Sequence, residues 1–234
     1  MTKLKFTPLQ IITHIGAWLP LLWLLWDNYA GNLSINPIQE LTQRTGKYAL
    51  IMLVLSLAIT PLITLSGFRQ LVKLRRPLGL YAFMYAAIHF FIFIGLDYAF
   101  DWNLLRGELF EKRYILVGLG ALLILSALAI TSFKWWMKRL GKDWKRLHRL
   151  VYLASVLVIV HFGWSQKGDF LRLQGDVGQP LAFGLAVALL LLARIPPVRR
   201  RASRLHQALK TRLNSSQRRP RVRRAKMKAV RQPD

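Results

Sequence analysis

The segment KRLHRLVYLASVLVIVHFGW, residues 145–164, begins with basic side chains and continues as a nearly uncharged apolar run that contains His161. An apolar run of this length can cross a hydrocarbon layer of roughly 30 Å as one helix. An ionisable residue inside a membrane is costly and by default indicates function. The segment therefore predicts a membrane-spanning helix with His148 at its basic end and His161 in its interior.

Similar apolar runs recur along the chain, separated by short charged stretches. The chain has 234 residues, of which 53% are hydrophobic, and a formal net charge of +25. One small soluble core would not use so much apolar sequence, whereas a membrane bundle would. We therefore predict an all-α polytopic membrane protein. The predicted spans are Pro8–Trp26, Lys47–Ser66, Leu78–Leu96, Tyr114–Phe133, Leu147–Trp164 and Pro180–Ile195.

Basic residues predict the orientation of the six helices. With a cytoplasmic N-terminus, that side carries 2 Lys and Arg before the first span, 4 in residues 67–77 and 7 in residues 134–149. The opposite loops, residues 27–46, 97–113 and 165–179, carry fewer. The positive-inside rule then places both termini in the cytoplasm and, in a bacterium, the opposite loops in the periplasm.

The chain divides into residues 1–197, which hold the spans, and a tail at residues 198–234. The tail contains 14 Lys and Arg residues and shows little apolar periodicity. We interpret it as a disordered tail that contacts anionic lipid headgroups. Because no aromatic platform or nucleic-acid fold accompanies it, nucleic acid is not the predicted partner.

Two intramembrane histidines lie at the same predicted depth. His89 follows the basic anchor Arg76 by 13 residues, and His161 follows Arg149 by 12. At 1.5 Å per residue both lie roughly 18–20 Å into spans that run in the same direction. They can therefore face each other in the periplasmic half of the bundle.

Paired imidazoles on neighbouring helices are suited to bind a six-coordinate haem iron, one on each side of the porphyrin. The chain has no cysteine, which excludes thioether-attached haem and iron–sulfur clusters bound by thiolates. Haem with both axial positions filled suits electron transfer. The aromatic side chains nearby are interpreted either as contacts of the haem ring or as ordinary packing; they are Tyr85, Phe90, Phe91, Phe93 and Phe162.

His148 lies about 20 Å from His161 along the axis and roughly 140° away around an ideal helix. Its position-matched counterpart on the third span is Arg76, which cannot ligate iron, and the other intramembrane donor is His14. His148 is therefore a candidate ligand of a second haem, a flavin or quinone contact, a proton relay or simply an interfacial histidine.

Several longer stretches resemble one bacterial family. They are HIGAWLPLLWLLW (14–26), NPIQELTQRTGKYAL (36–50), RRPLGLYAFMYAAIH (75–89) and LGKDWKRLHRLVYL…HFGW (140–164). Together, in this order and at this spacing, they resemble the MsrQ (YedZ) family, the haem-binding membrane subunits of methionine sulfoxide reductase systems. This resemblance extends over nearly the whole chain up to the sixth span.

The resemblance implies a ferric-reductase-like transmembrane fold in the bacterial inner membrane, b-type haem and FMN. It also implies electron flow from respiratory quinones to the periplasmic molybdopterin subunit MsrP, which itself reduces methionine sulfoxide in oxidised proteins. The family's ligand positions correspond here to His89, His148 and His161. No ligand role is carried over to His14.

Two departures distinguish the chain from the wider superfamily of NADPH oxidases and ferric reductases. Those enzymes use two histidines on each of two helices, whereas the third span here has one, so one haem is expected and a second stays open. They also carry a cytoplasmic flavin and nicotinamide domain, which is not found here. The alternatives are a ferric or flavin-linked reductase with another acceptor, a non-redox transporter that uses its histidines as a proton relay, and a membrane tether.

Overall fold

A computed structural model describes residues 7–166, 168–169, 174–175, 177–202, 204 and 207. The described residues are almost entirely helical, with one two-residue antiparallel pair, β1 (Gly168–Asp169) and β2 (Gln174–Gly175). The α-helices are α1 (Pro8–Tyr29), α2 (Pro37–Ser66), α3 (Arg75–Ile92), α4 (Trp102–Glu111), α5 (Arg113–Ile130), α6 (Lys134–Leu140), α7 (Lys142–Leu147), α8 (Leu150–Ser165) and α9 (Gly178–Leu192). A 3₁₀ segment, Arg69–Leu74, precedes α3, and a π-helical turn, Phe93–Asp97, follows it.

The predicted membrane bundle is confirmed. Within the described residues, five helical stretches are long and apolar enough to span a membrane. A sixth span results if α9 and the following segment Pro196–Ala202 are taken together across an 83° bend. The sixth predicted span, Pro180–Ile195, therefore corresponds to a helix that ends earlier, at Leu192. Most of the predicted tail lies outside the described residues.

Two predicted loops contain more helix than hydropathy indicated. Helix α2 begins at Pro37, ten residues before the predicted start of its span, because the Asn36 side chain accepts a hydrogen bond from the Gln39 amide and proline suits the first helical position. The loop at residues 97–113 contains α4, whose N-terminus is capped by Asp101. Helix α2 begins with mostly polar residues, and α4 mixes apolar with charged residues over only ten positions, so a hydropathy window omits both.

The bundle is organised around two closely packed helix pairs. Helix α2 packs most extensively against α3, and α5 against α8. The buried residues around the first pair include the fully enclosed Tyr85, whose hydroxyl donates to the Ala17 carbonyl at 2.6 Å. Ala82 on α3 and Ala154 on α8 are both completely buried. Small residues at such positions let helix backbones approach closely, as is common in membrane bundles.

Large apolar side chains cover much of the outer surface. Ile12, Trp23 and Leu185 are among those more than half exposed. A soluble protein would rarely expose so many, but lipid tails are as apolar as these side chains and no penalty arises. The exposed apolar surface agrees with a multi-pass membrane protein.

Candidate functional site: two histidines on paired helices

The structure brings His89 of α3 and His161 of α8 together. The centres of the two imidazole rings are 6.0 Å apart, and the ring planes are nearly perpendicular, at 84°. Their equal depth, counted from the basic anchors, therefore predicted this juxtaposition correctly. It did not predict how each ring is held.

Each ring is held by a main-chain carbonyl of the partner helix. His89 Nδ1 donates to the Thr42 carbonyl of α2 at 2.8 Å. His161 Nδ1 donates to the Tyr114 carbonyl of α5, also at 2.8 Å. A carbonyl only accepts, so each Nδ1 carries the proton and each Nε2 keeps a free lone pair. Histidine ligands of metals are commonly oriented in this way.

A glycine beside each ring makes room for it. A Cβ built on Gly46 would lie 3.0 Å from His89 Nδ1, and one built on Gly118 would lie 2.5 Å from His161 Nδ1. Ordinary van der Waals contact begins at about 3.4 Å. Each histidine therefore sits in a notch that any larger residue would partly fill.

The two arrangements use the same spacing along the chain. In both, the accepting carbonyl lies 47 residues before the histidine, and the glycine follows that carbonyl by one helical turn. The pair α2–α3 thus presents its histidine as the pair α5–α8 does. No sequence repeat is evident, because the residues that supply the carbonyls, Thr42 and Tyr114, share no chemistry at their side chains.

The residues present fit a haem iron. A metal–imidazole bond measures about 2 Å, and two such bonds plus the distance from each nitrogen to its ring centre come to about 6 Å, close to the 6.0 Å between the ring centres. The donor set is also suitable, since both Nδ1 atoms are engaged and both Nε2 atoms are free to ligate. The notches leave the rings little freedom to rotate.

His148 lies apart from this pair, at the junction of α7 and α8. Its Nδ1 donates to the Trp144 carbonyl at 3.1 Å, and its ring stacks on the Trp144 indole with 4.0 Å between centres. Its Nε2 is buried and makes no hydrogen bond of good geometry among the described residues, although the Leu128 backbone also lies close to the ring. Because α7 ends at Leu147 and α8 begins at Leu150, the 140° offset of an ideal helix does not describe His148.

His14 and the aromatic candidates lie in different surroundings in the bundle. His14 Nδ1 shares a 2.8 Å hydrogen bond with the Tyr81 hydroxyl, which joins α1 to α3. Tyr85 is packed in the core, as described above. Phe91 lies at the surface with 61% of its area exposed, so it is not part of the packed core, and its contact with a haem ring stays a prediction.

A polar cleft of about 510 Å³ opens at the same end of the bundle as the histidine pair. Gln43, Lys47, Phe162 and Gln166 are among its lining residues. Phe162 directly follows His161, and residues 43 and 47 flank the glycine notch of α2. The cleft therefore lies beside the candidate ligands.

An ion-pair network fixes the helix ends beside this cleft. Arg44 of α2 bonds Asp27 at the end of α1 at 2.5 Å and Glu40 within α2 at 2.5 Å. The Asp27 side chain is only 10% exposed. The network thus ties α1 to the turn of α2 that holds the His89 ring.

Sequence reasoning missed the two glycines and the two carbonyls. Gly46 was assigned to a loop because α2 was predicted to start at Lys47, and Gly118 was one glycine among several in an apolar span. A search for a glycine at one fixed distance before each histidine would have found both, because that distance is the same in the two halves. The carbonyls have no sequence signal of their own.

Comparison with known proteins gives a family match and several similar proteins. Residues 45–159 match the family model of the ferric reductase like transmembrane component. This segment includes His89 and His148 and ends two residues before His161. The match therefore begins within α2 and ends within α8.

The chain is also similar over most of its length to proteins named protein-methionine-sulfoxide reductase heme-binding subunit MsrQ. The protein of Caulobacter vibrioides is 36% identical over 87% of this chain and 94% of its own length. That of Rhodospirillum rubrum is 40% identical over 83% and 91%, and that of Herminiimonas arsenicoxydans 41% identical over 82% and 86%.

Proposed function

This chain belongs to the MsrQ family, within the ferric-reductase-like transmembrane proteins, and from that premise we propose that it is a haem-binding electron-transfer subunit. It takes electrons from the respiratory quinone pool and delivers them to the periplasmic reductase MsrP, which repairs methionine sulfoxide in oxidised proteins. The sulfoxide chemistry resides on the partner.

The observation that carries the proposal is the paired histidine geometry. His89 and His161 would hold a b-type haem through their Nε2 atoms, and the haem would supply one-electron oxidation and reduction. The carbonyls of Thr42 and Tyr114 orient the two rings. Because two protein side chains would hold the iron, the bound haem would carry electrons rather than bind substrate or oxygen, which suits electron transfer.

His148 is the candidate ligand of a second haem. Its buried Nε2 has no hydrogen bond of good geometry among the described residues and is the kind of atom that a ligand would satisfy. Its ring is already held at Nδ1 and against Trp144. FMN is the further cofactor that the family resemblance implies.

The orientation follows from charge. Residues 1–197 form the membrane domain in the inner membrane, both termini face the cytoplasm, and the basic residues 198–234 contact anionic lipid. The histidine pair and the polar cleft then lie toward the periplasm. MsrP docks on the loops at this end, which puts its electron acceptor on the side nearest to His89 and His161.

Reconstitution with purified MsrP tests the function. We expect a menaquinol or ubiquinol analogue to reduce MsrP when wild-type chain is present and to leave it oxidised when the chain is omitted. His161→Ala should behave like the omission. If quinol reduces the haem but never MsrP, the partner is wrong; if purified protein shows no Soret band, the redox proposal itself fails.

A further inference from the structure

Two arginines meet on one turn of α2, at the end of the bundle opposite the histidine pair. Arg75 begins α3, and its guanidinium donates to the Thr60 hydroxyl at 2.8 Å. Arg194 follows α9 and donates to the Leu57 carbonyl at 2.6 Å. Residues 57 and 60 are neighbours on the face of a helix. Two positive charges therefore approach α2 at the same level.

Neither charge is balanced by a carboxylate. In the described part of the chain, the ion pairs involve Arg44, Lys112 and Arg146. The hydrogen bonds found for Arg75 and Arg194 go to neutral acceptors. The Nε of Arg194 is buried and has no hydrogen-bond partner among the described residues. A buried donor of this kind costs free energy unless a ligand satisfies it.

Tyr152 of α8 completes the arrangement. Its hydroxyl accepts a hydrogen bond from Arg194 at 2.8 Å, and the guanidinium lies over its ring, 5.1 Å from the centre. Because the hydroxyl oxygen accepts from Arg194, its own proton is free to be donated. Arg194 is half-buried and Arg75 is exposed, so the arrangement has an inner cation and an outer one.

We infer that Arg75, Arg194 and Tyr152 form a phosphate-binding site. Guanidinium groups recognise phosphate through paired charge-assisted hydrogen bonds, and a phenol proton adds a further donor. Two sources carry this chemistry at a membrane: the phosphomonoester of FMN and the headgroup of an anionic phospholipid. The flavin source rests on the cofactor proposed above, whereas the phosphate site itself does not.

Binding of FMN and riboflavin, which differ only in the phosphate, measures the site directly. Fluorescence titration of the purified haem-loaded protein should give an affinity for FMN at least about tenfold higher than for riboflavin, as expected for charged hydrogen bonds. Arg75→Gln and Arg194→Gln should each remove most of this ratio, and Tyr152→Phe should lower it less. Arg69→Gln, an exposed arginine of the preceding 3₁₀ segment, should leave it unchanged.

The lipid source is tested with the same variants. In nanodiscs of mixed phosphatidylglycerol and phosphatidylcholine, native mass spectrometry should show phosphatidylglycerol retained by the wild type and by Arg69→Gln but lost from Arg194→Gln. Loss of the FMN preference alone assigns the site to flavin, and loss of lipid alone assigns it to the headgroup. If the variants match wild type in both assays, the inference is overturned.

The haem spectrum of every variant separates this inference from the proposed function. Unchanged haem content shows that a variant folds. If an arginine variant does not fold, the loss of phosphate preference in Tyr152→Phe still tests the site. Failure of electron delivery to MsrP with phosphate binding intact would overturn the function and leave the site standing.

Discussion

Replacing Gly118 by alanine should displace His161 and remove the haem that this histidine ligates. The new Cβ would lie 2.5 Å from His161 Nδ1, where ordinary contact begins at about 3.4 Å, so the ring must move by about 0.9 Å. Metal–ligand distances tolerate only about 0.2 Å. The displacement would also break the 2.8 Å bond to the Tyr114 carbonyl.

Loss of such an orienting contact typically lowers metal affinity about 10–100-fold. Haem content per protein, from the pyridine haemochrome spectrum, should therefore fall severely in Gly118→Ala. The overlap in Gly46→Ala is smaller, because its Cβ would lie 3.0 Å from His89 Nδ1. We expect that variant to keep more haem, with an altered low-spin signal in electron paramagnetic resonance.

Gly120→Ala is the matched control, since it lies on the same helix and its Cβ would meet nothing within 4 Å. Alanine is favoured over glycine in a helix by about 1 kcal/mol, so poor folding is not the expected cause of haem loss at either position. Full haem content and an unchanged bis-histidine spectrum in Gly118→Ala would refute the hypothesis that the His161 ring needs the space left by Gly118.

Three further outcomes follow from the described contacts. In reduced-minus-oxidised spectra, His148→Ala should keep at least about half of the bound haem. Replacing His89 or His161 should instead remove the bis-histidine signal. Equal loss of haem from all three variants would contradict the pairing of His89 with His161. Asp27→Asn should lower the free energy of unfolding by about 1–3 kcal/mol, because the Asp27 side chain is only 10% exposed. Asp143→Asn should lower it by less than about 1 kcal/mol, because the side chains of that ion pair are 70–79% exposed. Equal shifts of the thermal unfolding midpoint would contradict this ranking. Pairing with Lys112 lowers the pKa of the Glu108 carboxyl, and pairing with Glu108 raises the pKa of Lys112. The pair therefore stabilises α4 fully between their ordinary values, and its contribution is lost as pH falls through the lowered pKa or rises through the raised one. Hydrogen exchange of residues 102–111 should accelerate outside this range, and Glu108→Gln should abolish the acid-side change.

Hydropathy and basic anchors predicted the bundle and the meeting of His89 with His161. The spans are predictable because the thickness of the hydrocarbon layer sets the length of each apolar helix. The depth of a residue is predictable because it can be counted from a basic side chain that stays at the membrane surface. They failed at residues 37–46, where the helix is polar and is defined by the Asn36 cap. Hydropathy measures partition into lipid, and helix formation outside the lipid needs other signals.

The site was predictable only in its ligands. A histidine inside the membrane is energetically costly, so the sequence alone marks it as a candidate ligand. A glycine beside it has only a steric role, which is visible once the facing helix is placed. The surroundings of His148 could not be predicted, because they depend on the turn between α7 and α8. The angle of one continuous ideal helix does not apply there.

The main-chain origin of the contacts to His89 and His161 has a consequence for mutational scanning. A carbonyl belongs to every residue, so no substitution at position 42 or 114 deletes the atom that orients a ring. A saturation scan would therefore report on position 114 only through its side chain, whose ring lies 5.9 Å from that of His161, and would score Gly46 and Gly118 as intolerant. The carbonyls that hold the ligands would be invisible to genetics, and the small residues beside them would be the clearest record of where they act.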